Sequence, residues 1–371
     1  MLSGGTWEDG ILPQARSYAI SNQTAPECII TTIGIDLGKN TFHLIGMDAR
    51  GKIVLRRKVS RGQLLPCLAN VPACLIGMEA CAGAHHVGRQ LAALGHDVRL
   101  LPAQYVKPFL EGHKNDYRDA EAIAEAAQRP TMRPVPLKSA EQLDLQALHR
   151  VRSRLVGQRT AVVNQIRGFL LECGIPVRKG PAGLREALPS LLAQRTDVLS
   201  PRMIHLIEDL AGDWRGLDER IDAITRDITA LARQDVGCQR LMGIPGVGVI
   251  TASAMVAAVG TGAAFAKGRD FAAWLGLVPK QISTGGRTIL GGLSKRGNRY
   301  LRILFVGGAQ VLLQRQRHWD GHGFGRWLQA AGTRLHRNVL AAALANKLAR
   351  IAWGVLSHEN GYDPEFAART A

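Results

Sequence analysis

Asp116 and Asp119 lie three residues apart, a spacing at which their carboxylates could act together on a cation. The stretch 114–126 around them contains no Gly or Pro and is rich in Ala, Glu and Ile, which predicts a helix capped by Asn115 or Asp116. Carboxylates at this spacing share one helix face and repel each other, and a bridging divalent cation would turn that repulsion into binding. Taken alone, the pair is also typical of a solvated acidic first turn that suits the helix dipole.

Two further acids, Asp36 and Glu79, belong to apolar segments that predict buried β-strands. Asp36 interrupts the β-branched segment 28–36, where an unpaired carboxylate would be costly, and Glu79 ends the segment 74–79. The alternative is that Asp36 caps a turn and that Glu79 is exposed. Four acids from three elements favour a metal site, with Mg²⁺ or Mn²⁺ as the cation.

The order of the predicted elements would bring these acids together. Strands at 28–36, 41–47 and 52–59 precede a helix at 63–68, a strand at 74–79, a helix at 85–94, a strand at 97–101 and the acidic helix. Three strands in hairpin order, followed by alternating strands and helices, is the element order of the ribonuclease-H-like (RuvC-like) α/β fold. We therefore predict such a domain over 28–136, preceded by a disordered extension over 1–27.

The charge of the chain points to a polyanionic partner. Lys and Arg total 47 against 30 Asp and Glu, a formal net charge of +17, which suits nucleic acid or an anionic membrane. The uncharged run 246–266 consists mainly of small residues and predicts a buried helix rather than a membrane span. The N-terminus lacks the apolar core of a signal peptide. Six Cys without a C-x-x-C pair predict reduced thiols in a cytoplasmic protein.

The middle of the chain is predicted to be a helical coiled-coil connector over 137–236. Apolar residues recur every seven positions at Leu148, Leu155, Val162 and Phe169, and again along two positions of the segment 203–231. A stretch rich in Gly, Pro and charge (174–200) is predicted to be a loop between the two helices. The helices could pair as an antiparallel hairpin or between subunits.

A mainly α C-terminal domain is predicted over 237–357, followed by a frayed polar tail over 358–371. The segment 243–248, Gly-Ile-Pro-Gly-Val-Gly, predicts a helix-hairpin-helix turn that could bring backbone N–H groups to a phosphate, and tight helix packing is the alternative. The segment 287–350 contains twelve basic residues and one acid, Asp320, a pattern typical of contacts to a phosphate backbone. The predicted nucleic-acid-binding residues are Arg287, Lys295, Arg296, Arg299 and Arg302.

Three acidic motifs resemble those of the DEDD-type insertion-sequence transposases, also called insertion-sequence family one-ten. They are Gly34-Ile35-Asp36-Leu37-Gly38-Lys39, Gly77-Met78-Glu79-Ala80 and Asn115-Asp116-Tyr117-Arg118-Asp119-Ala120. Three further motifs are similar to that family's C-terminal transposase domain, namely Gly243-Ile244-Pro245-Gly246, Ser283-Thr284-Gly285-Gly286 and Ser294-Lys295-Arg296-Gly297-Asn298. The resemblance covers residues 33–356.

The resemblance implies a DNA transposase or recombinase that acts on element ends and target DNA. Asp36, Glu79, Asp116 and Asp119 would be its metal-binding catalytic acids, and a serine would form a covalent phosphoserine link to DNA. A structured non-coding bridge RNA would select donor and target, and the protein would work in the bacterial cytoplasm, associated with the nucleoid. Because recombination holds several cut strands together and the heptads offer an interface, we expect a dimer or a tetramer.

Two serines are candidates for the nucleophile. Ser283 precedes a flexible turn, Thr284-Gly285-Gly286, with Arg287 adjacent as a phosphate clamp. Ser294 precedes a basic stretch and is predicted to be a helix N-cap. We therefore favour Ser283, as does the domain layout of the family. The alternative functions are a RuvC-like endonuclease that hydrolyses DNA with water and a non-catalytic nucleic-acid-binding protein.

Overall fold

The computed structural model describes residues 29–110, 115–194, 197–315, 319 and 322–365. The predicted extension over 1–27, as well as Arg317 and Asp320, lies outside these residues. The chain divides into two compact units, with the boundary between Met132 and Arg133.

The first unit contains one five-stranded sheet. Its strands are β1 (Thr32–Leu37), β2 (Thr41–Met47), β3 (Ile53–Ser60), β4 (Leu75–Glu79) and β5 (Asp97–Leu101). They lie in the order β3-β2-β1-β4-β5, with β1, β2 and β3 antiparallel in sequence and β4 and β5 parallel to β1. This mixed sheet is consistent with the predicted ribonuclease-H-like domain.

The helices of the first unit are α1 (Arg61–Ala69), α2 (Ala84–Ala93), α3 (Ala103–Val106), a short 3-10 helix (Lys107–Phe109) and α4 (Asp116–Gln128). The inner strand β1 is buried from Thr32 to Ile35, with Ile33 and Ile35 fully buried, and Asp36 follows near its C-terminal end. Edge strand β3 is largely exposed and includes Arg56, Arg57 and Lys58, charges of the kind that keep sheet edges from pairing.

The second unit is mainly helical. Its helices are α5 (Ala140–Glu172), α6 (Pro181–Gln194), α7 (Pro201–Gln234), α8 (Val236–Met242), α9 (Val249–Val259), α10 (Gly268–Trp274), α11 (Arg299–Gln314), α12 (Gly325–Gly332) and α13 (Arg337–Ser357). A two-stranded hairpin of β6 (Pro279–Thr284) and β7 (Arg287–Leu293) stands between α10 and α11.

The long helices α5 and α7 pack against each other within the chain, as an antiparallel pair. Arg152 Nε donates to Thr225 Oγ1 at 2.8 Å, and two turns further along α5, Arg159 Nη1 lies 3.1 Å from Asp218 Oδ1. Residue numbers therefore rise along α5 as they fall along α7. Of the two pairings left open by the sequence, the described residues adopt the hairpin. Supercoiling of the pair stays a prediction.

One of the two predicted heptad positions of α7 is buried throughout, at Ile207, Trp214, Ile221 and Ile228. At the other position, Leu231 is exposed, whereas Met203, Leu210, Leu217 and Ile224 are half-buried.

The predicted loop over 174–200 is wrong in its centre, where α6 forms. Pro181 occupies the start of the helix, a position that tolerates the missing N–H, and Leu184 and Leu188 lie four residues apart and are buried. They pack with Ile207 and Trp214 of α7 in one apolar cluster. The burial of this face outweighs the Gly, Pro and charge content that suggested a loop.

The core of the remaining helices is organised around α13, whose buried face includes Leu344, Ala345, Leu348 and Ala352. Among the described helices, α13 alone is long and apolar enough to cross a membrane, and half of its most apolar window is buried in the protein. A single helix of this kind is weak evidence for a span, because core helices have the same length and composition. The predicted buried helix in 246–266 is α9, in the same core.

Two further predicted segments lie among the described residues, the turn 243–248 and the first part of the tail. The turn 243–248 joins α8 to α9 and packs tightly, because a Cβ on Gly246 would lie 2.7 Å from Leu312 Cδ1; its contact to phosphate stays a prediction. Within the predicted tail, Tyr362 packs against the apolar core and Pro364 lies against Gly323. Fraying of the tail over 358–371 stays a prediction.

Candidate metal centre and candidate nucleophile

Helix α4 lies unusually close to the sheet because glycines face it. A Cβ on Gly34 of β1 would lie 1.9 Å from the carbonyl oxygen of Ala120, and one on Gly77 of β4 would lie 2.7 Å from Ala127 Cβ. Gly34 and Gly77 each precede an acid by two residues, so that each glycine shares a strand face with its acid. The same close contact therefore brings the N-terminal turn of α4 to Asp36 and Glu79.

Three of the four predicted acids converge. Asp36, Asp116 and Asp119 each offer one carboxylate oxygen, and these oxygens all lie within 4.8 Å of one another. Asp36 and Asp119 are half-buried, whereas Asp116 is exposed. Asn115, rather than Asp116, caps α4, with its side chain accepting from Tyr117 N at 3.0 Å. Both carboxylates on the helix therefore remain available to the site.

Glu79 is on the neighbouring strand, but it is not one of the three acids whose oxygens lie within 4.8 Å of one another. The parallel register of β1 and β4 pairs Ile35 with Met78, which sets Asp36 and Glu79 at the same end of neighbouring strands. Burial raises the pKa of the Glu79 carboxyl, and the charges of Asp36 and Asp119 raise it further. Carboxylates that raise one another's pKa in this way repel each other, and a bound cation would relieve that repulsion.

The donor set fits a hard divalent cation. Carboxylate oxygens are the ligands that Mg²⁺ and Mn²⁺ prefer, and a Mg²⁺ ion with ligands at about 2.1 Å holds any two of them at most about 4.2 Å apart. The oxygen–oxygen separations at Asp36, Asp116 and Asp119 are no greater than 4.8 Å, which is close to this limit. Small side-chain rotations would suffice to place all three around one ion.

Sequence reasoning missed the residue that supports Asp116. His43 of β2 is directly opposite Asp36 in the sheet, and its Nδ1 lies 3.6 Å from Asp116 Oδ2. The imidazole of His43 is buried and packs nearly perpendicular to the Tyr117 ring, with the two centroids 4.8 Å apart. The Arg56 guanidinium carbon lies over the Tyr117 ring, 4.3 Å from its centroid. The hairpin register of β1 and β2 was the one sequence signal that could have identified His43.

The candidate nucleophile Ser283 is in the second unit, on the exposed strand β6. It pairs with Thr288 of β7, and its Oγ accepts from Gln281 Nε2 at 2.9 Å. The turn of the hairpin is formed by Gly285 and Gly286, with φ of +52° and +76°, a left-handed conformation that glycine adopts without strain. All of β6 is exposed, so the hydroxyl is accessible to a large substrate.

Ser294 is in a different environment and does not cap a helix. The predicted N-cap is wrong, because Asn298 caps α11 by accepting from Leu301 N at 3.1 Å. The chain turns between these residues, with Lys295 at φ +54° and Gly297 at φ +75°, so that the helix begins later. Ser294 Oγ is buried and has no hydrogen-bond partner among the described residues.

The predicted phosphate-binding cations fall into two groups. Arg287, Lys295, Arg296 and Arg299 are exposed. Arg302 is half-buried, and its Nη1 donates to the carbonyl oxygens of Leu275 at 2.8 Å and of Arg296 at 3.0 Å. The guanidinium of Arg302 thus holds the loop that carries Lys295 and Arg296.

Two family models match the chain. The model described as "Transposase IS116/IS110/IS902 family" matches residues 238–322, and a DEDD-type model of IS110 transposases, described as "Transposase", matches residues 33–175. The first match contains the β6–β7 hairpin with Ser283, and the second contains all four acids.

Three relatives are similar along most of their length. A protein of Pseudomonas aeruginosa named probable family 20 transposase is 46% identical over 337 residues, which are 90% of this chain and 99% of the relative. The transposase for insertion sequence element IS1328 of Yersinia enterocolitica is 44% identical over 88% of this chain and 96% of its own. The transposase for insertion sequence element IS1111A of Coxiella burnetii is 40% identical over 90% and 91%.

Proposed function

The chain belongs to the IS116/IS110/IS902 family of insertion-sequence transposases, and from this premise we propose that it cuts and rejoins DNA through a covalent phosphoserine intermediate. The observation that carries the proposal is the convergence of carboxylate oxygens of Asp36, Asp116 and Asp119 to within 4.8 Å of one another. They converge beside the close contact between helix α4 and the glycines Gly34 and Gly77. Close packing of like charges is unfavourable for folding alone and favourable for holding a cation.

The acidic residues would hold Mg²⁺ or Mn²⁺, with Glu79 completing the set. A divalent ion there would neutralise charge on the scissile phosphate and stabilise the departing oxygen. The protein's own part is to hold the carboxylates at a fixed spacing: strand β1 positions Asp36, strand β4 positions Glu79, and the first turn of α4 positions Asp116 and Asp119. Rigid elements of this kind keep catalytic groups in place better than loops do.

Ser283 would be the nucleophile. Its Oγ would attack the phosphorus of a DNA phosphodiester, forming an Oγ–P bond while the bond to one deoxyribose oxygen breaks. The hydroxyl proton passes to solvent and the departing oxygen takes up a proton. Attack by the hydroxyl of another strand then reverses the step and releases the serine. Because one phosphodiester is exchanged for another, rejoining needs no external energy source.

Nucleic acid would be bound by the exposed cations Arg287, Lys295, Arg296 and Arg299, and the net charge of +17 suits a second polyanion as well. We propose that this second partner is a structured bridge RNA that selects donor and target DNA. We also propose that the active form is a dimer or a tetramer, because strand exchange requires several cut ends to be held together.

Covalent adduct formation tests this proposal. Purified protein is incubated with element-end DNA, target DNA and RNA from the element's flank, with and without Mg²⁺, and protease-sensitive adducts are resolved on a denaturing gel. We expect an adduct that requires Mg²⁺, disappears in Ser283→Ala and persists in the matched variant Ser294→Ala. An adduct that survives Ser283→Ala would overturn the choice of nucleophile.

Two other results would replace the proposal with an alternative function. Cut DNA without an adduct, abolished by Asp36→Ala but not by Ser283→Ala, would indicate an endonuclease that uses water. Bound and intact DNA, with binding indifferent to both Mg²⁺ and Asp36→Ala, would indicate a nucleic-acid-binding protein.

A further inference from the structure

A cleft of about 760 Å³ lies in the second unit, and its lining residues include neither the four acids nor Ser283. It is formed by the start of α10, the C-terminal half of α13 and the segment 358–363 that follows α13. We call it the Trp353 cleft, after the aromatic residue in its wall. Its size is within the range of roughly 300–1,000 Å³ that is typical of ligand sites.

The Trp353 cleft concentrates positive charge. Lys267 and Arg269 line it from the start of α10, Lys347 and Arg350 line it from one face of α13, and Asp363 is the single acid among its lining residues. Burial lowers the pKa of the Lys347 ammonium, and the charge of Arg350, one helix turn away, lowers it further. Cations that repel one another in a recess are stabilised by an anionic ligand.

The wall of the cleft contains a fixed aromatic ring. Trp353 is half-buried, and its indole Nε1 donates to the carbonyl oxygen of Gly262 at 3.1 Å. Its ring is nearly perpendicular to the His358 ring, with the two centroids 5.6 Å apart. Gly268 contributes no side chain next to this ring, where a Cβ would lie 3.2 Å from Trp353 Cε3. The indole therefore has one orientation, and little conformational freedom would be lost when a planar ligand contacts it.

We propose that the Trp353 cleft binds one unpaired nucleotide of a DNA or RNA strand, with its base against Trp353 and its phosphate between Arg269 and Arg350. Cations beside an aromatic surface are the chemistry of single-strand recognition, because every base has a face that stacks and every nucleotide carries a phosphate. A duplex keeps its bases paired inside and cannot offer one to a cleft of this size. The inference rests on the proposed function in one respect, namely that the polymer which the protein binds is a nucleic acid.

Binding of short labelled strands tests the proposal. Fluorescence anisotropy is measured with the full chain, in EDTA so that no cleavage occurs, using a 12-nucleotide single-stranded DNA, an RNA of the same sequence and the matching DNA duplex. We expect Arg269→Gln, Arg350→Gln and Trp353→Leu each to weaken single-strand binding about ten-fold, as expected for loss of a stacked base or a bound phosphate, and to change duplex binding about two-fold at most.

The matched control is Arg220→Gln, which removes an exposed positive charge from helix α7 of the same unit, outside both the cleft and the basic segment 287–350. Single-strand affinity that falls no further in the three cleft variants than in Arg220→Gln would overturn the proposal. A loss for DNA alone, for RNA alone or for both supports it and identifies the source of the strand.

Because Trp353→Leu could disturb folding, photocrosslinking of the wild-type protein provides a second measurement. A strand with 4-thiothymidine or 4-thiouridine should crosslink to Trp353 or Tyr362, identified by mass spectrometry. Crosslinks confined to peptides outside the cleft would contradict the proposal. Neither measurement requires Ser283 or metal, so failure of the phosphoserine mechanism and failure of this inference are separate results.

Discussion

A methyl group on Gly34 would lie 1.9 Å from the carbonyl oxygen of Ala120, so strand β1 and helix α4 approach more closely than any side chain larger than hydrogen permits. The residues next to this contact are functional candidates. Asp36 follows Gly34 by two positions on the strand, and Asp116 precedes Ala120 by one helical turn. The contact that builds the core of the first unit thus also sets the distance between the carboxylates.

Gly34→Ala should both destabilise the first unit and weaken its metal binding. The added Cβ forces β1 and α4 apart, a form of overpacking that costs about 1–3 kcal/mol of unfolding free energy. Thermal unfolding with and without Mg²⁺ measures both effects. Gly62→Ala is the matched control, because a Cβ there meets nothing within 4 Å and Gly62 is inside helix α1, where alanine is the better helix former. A Gly34→Ala protein as stable as Gly62→Ala would contradict the packing argument.

Asp119→Asn should remove stabilisation by Mg²⁺ while leaving the metal-free protein equally or more stable. The substitution relieves repulsion among carboxylates that lie within 4.8 Å and removes one of the proposed metal ligands. A ligand that binds only the folded state stabilises it by about 2.7 kcal/mol at a hundred times its Kd, which a shift in Tm detects. Glu125→Gln, which removes an exposed acid from the same helix, should keep the Mg²⁺ response. Retention of that response in Asp119→Asn would argue against the site.

His43→Gln should lower the affinity for Mn²⁺ about ten-fold, in line with the loss of a residue that orients a metal ligand. The Nδ1 atom of His43 lies 3.6 Å from Asp116 Oδ2, and this contact restrains an otherwise exposed carboxylate. Calorimetric titration with Mn²⁺ measures the affinity, and thermal unfolding checks that the variant remains folded. His86→Gln alters an exposed histidine of α2 and should bind Mn²⁺ normally. Equal affinities in the two variants would mean that His43 does not position Asp116.

The stability of the second unit should fall as the pH is lowered from 7 towards 4. Burial, together with the smaller effect of the Arg152 charge, lowers the pKa of His149 from 6.5 to about 4. The neutral ring accepts from Tyr300 OH at 3.1 Å and donates to Ser253 Oγ at 3.0 Å, because the Ser253 hydroxyl proton is directed to the Val249 carbonyl oxygen.

Below pH 6.5 the unfolded chain takes up a proton that folded His149 resists, so stability is lost until the pH passes the folded pKa. The depressed pKa corresponds to about 3 kcal/mol of unfolding free energy. Urea unfolding of the wild type and of His149→Gln between pH 7 and 4 measures this loss. The variant should show a flatter dependence, and the exposed-site control His205→Gln should follow the wild type. Parallel curves for the wild type and His149→Gln would exclude His149 as the cause.

Two predictions are wrong for the same physical reason. The Gly, Pro and charge content of 174–200 predicts a loop, yet Leu184 and Leu188 pack in one apolar cluster with residues of α7. The residue type of Ser294 predicts a helix cap, yet Ser294 N donates to the carbonyl oxygen of Val278 and Lys295 N donates to that of Gly276, so that α11 is capped only by Asn298. In each case contacts with residues distant in the chain outweigh a local propensity.

The sequence by itself determined the order of the elements in the first unit, the four acids and the family, because strand and helix periodicity, an acid within an apolar strand and motif spacing are local properties. Tertiary structure alone decided how those acids meet. The register that sets His43 opposite Asp36, and the clearance that lets α4 lie on Gly34 and Gly77, depend on which surfaces pack together. Packing is a property of pairs of distant residues, and no single stretch of chain encodes it.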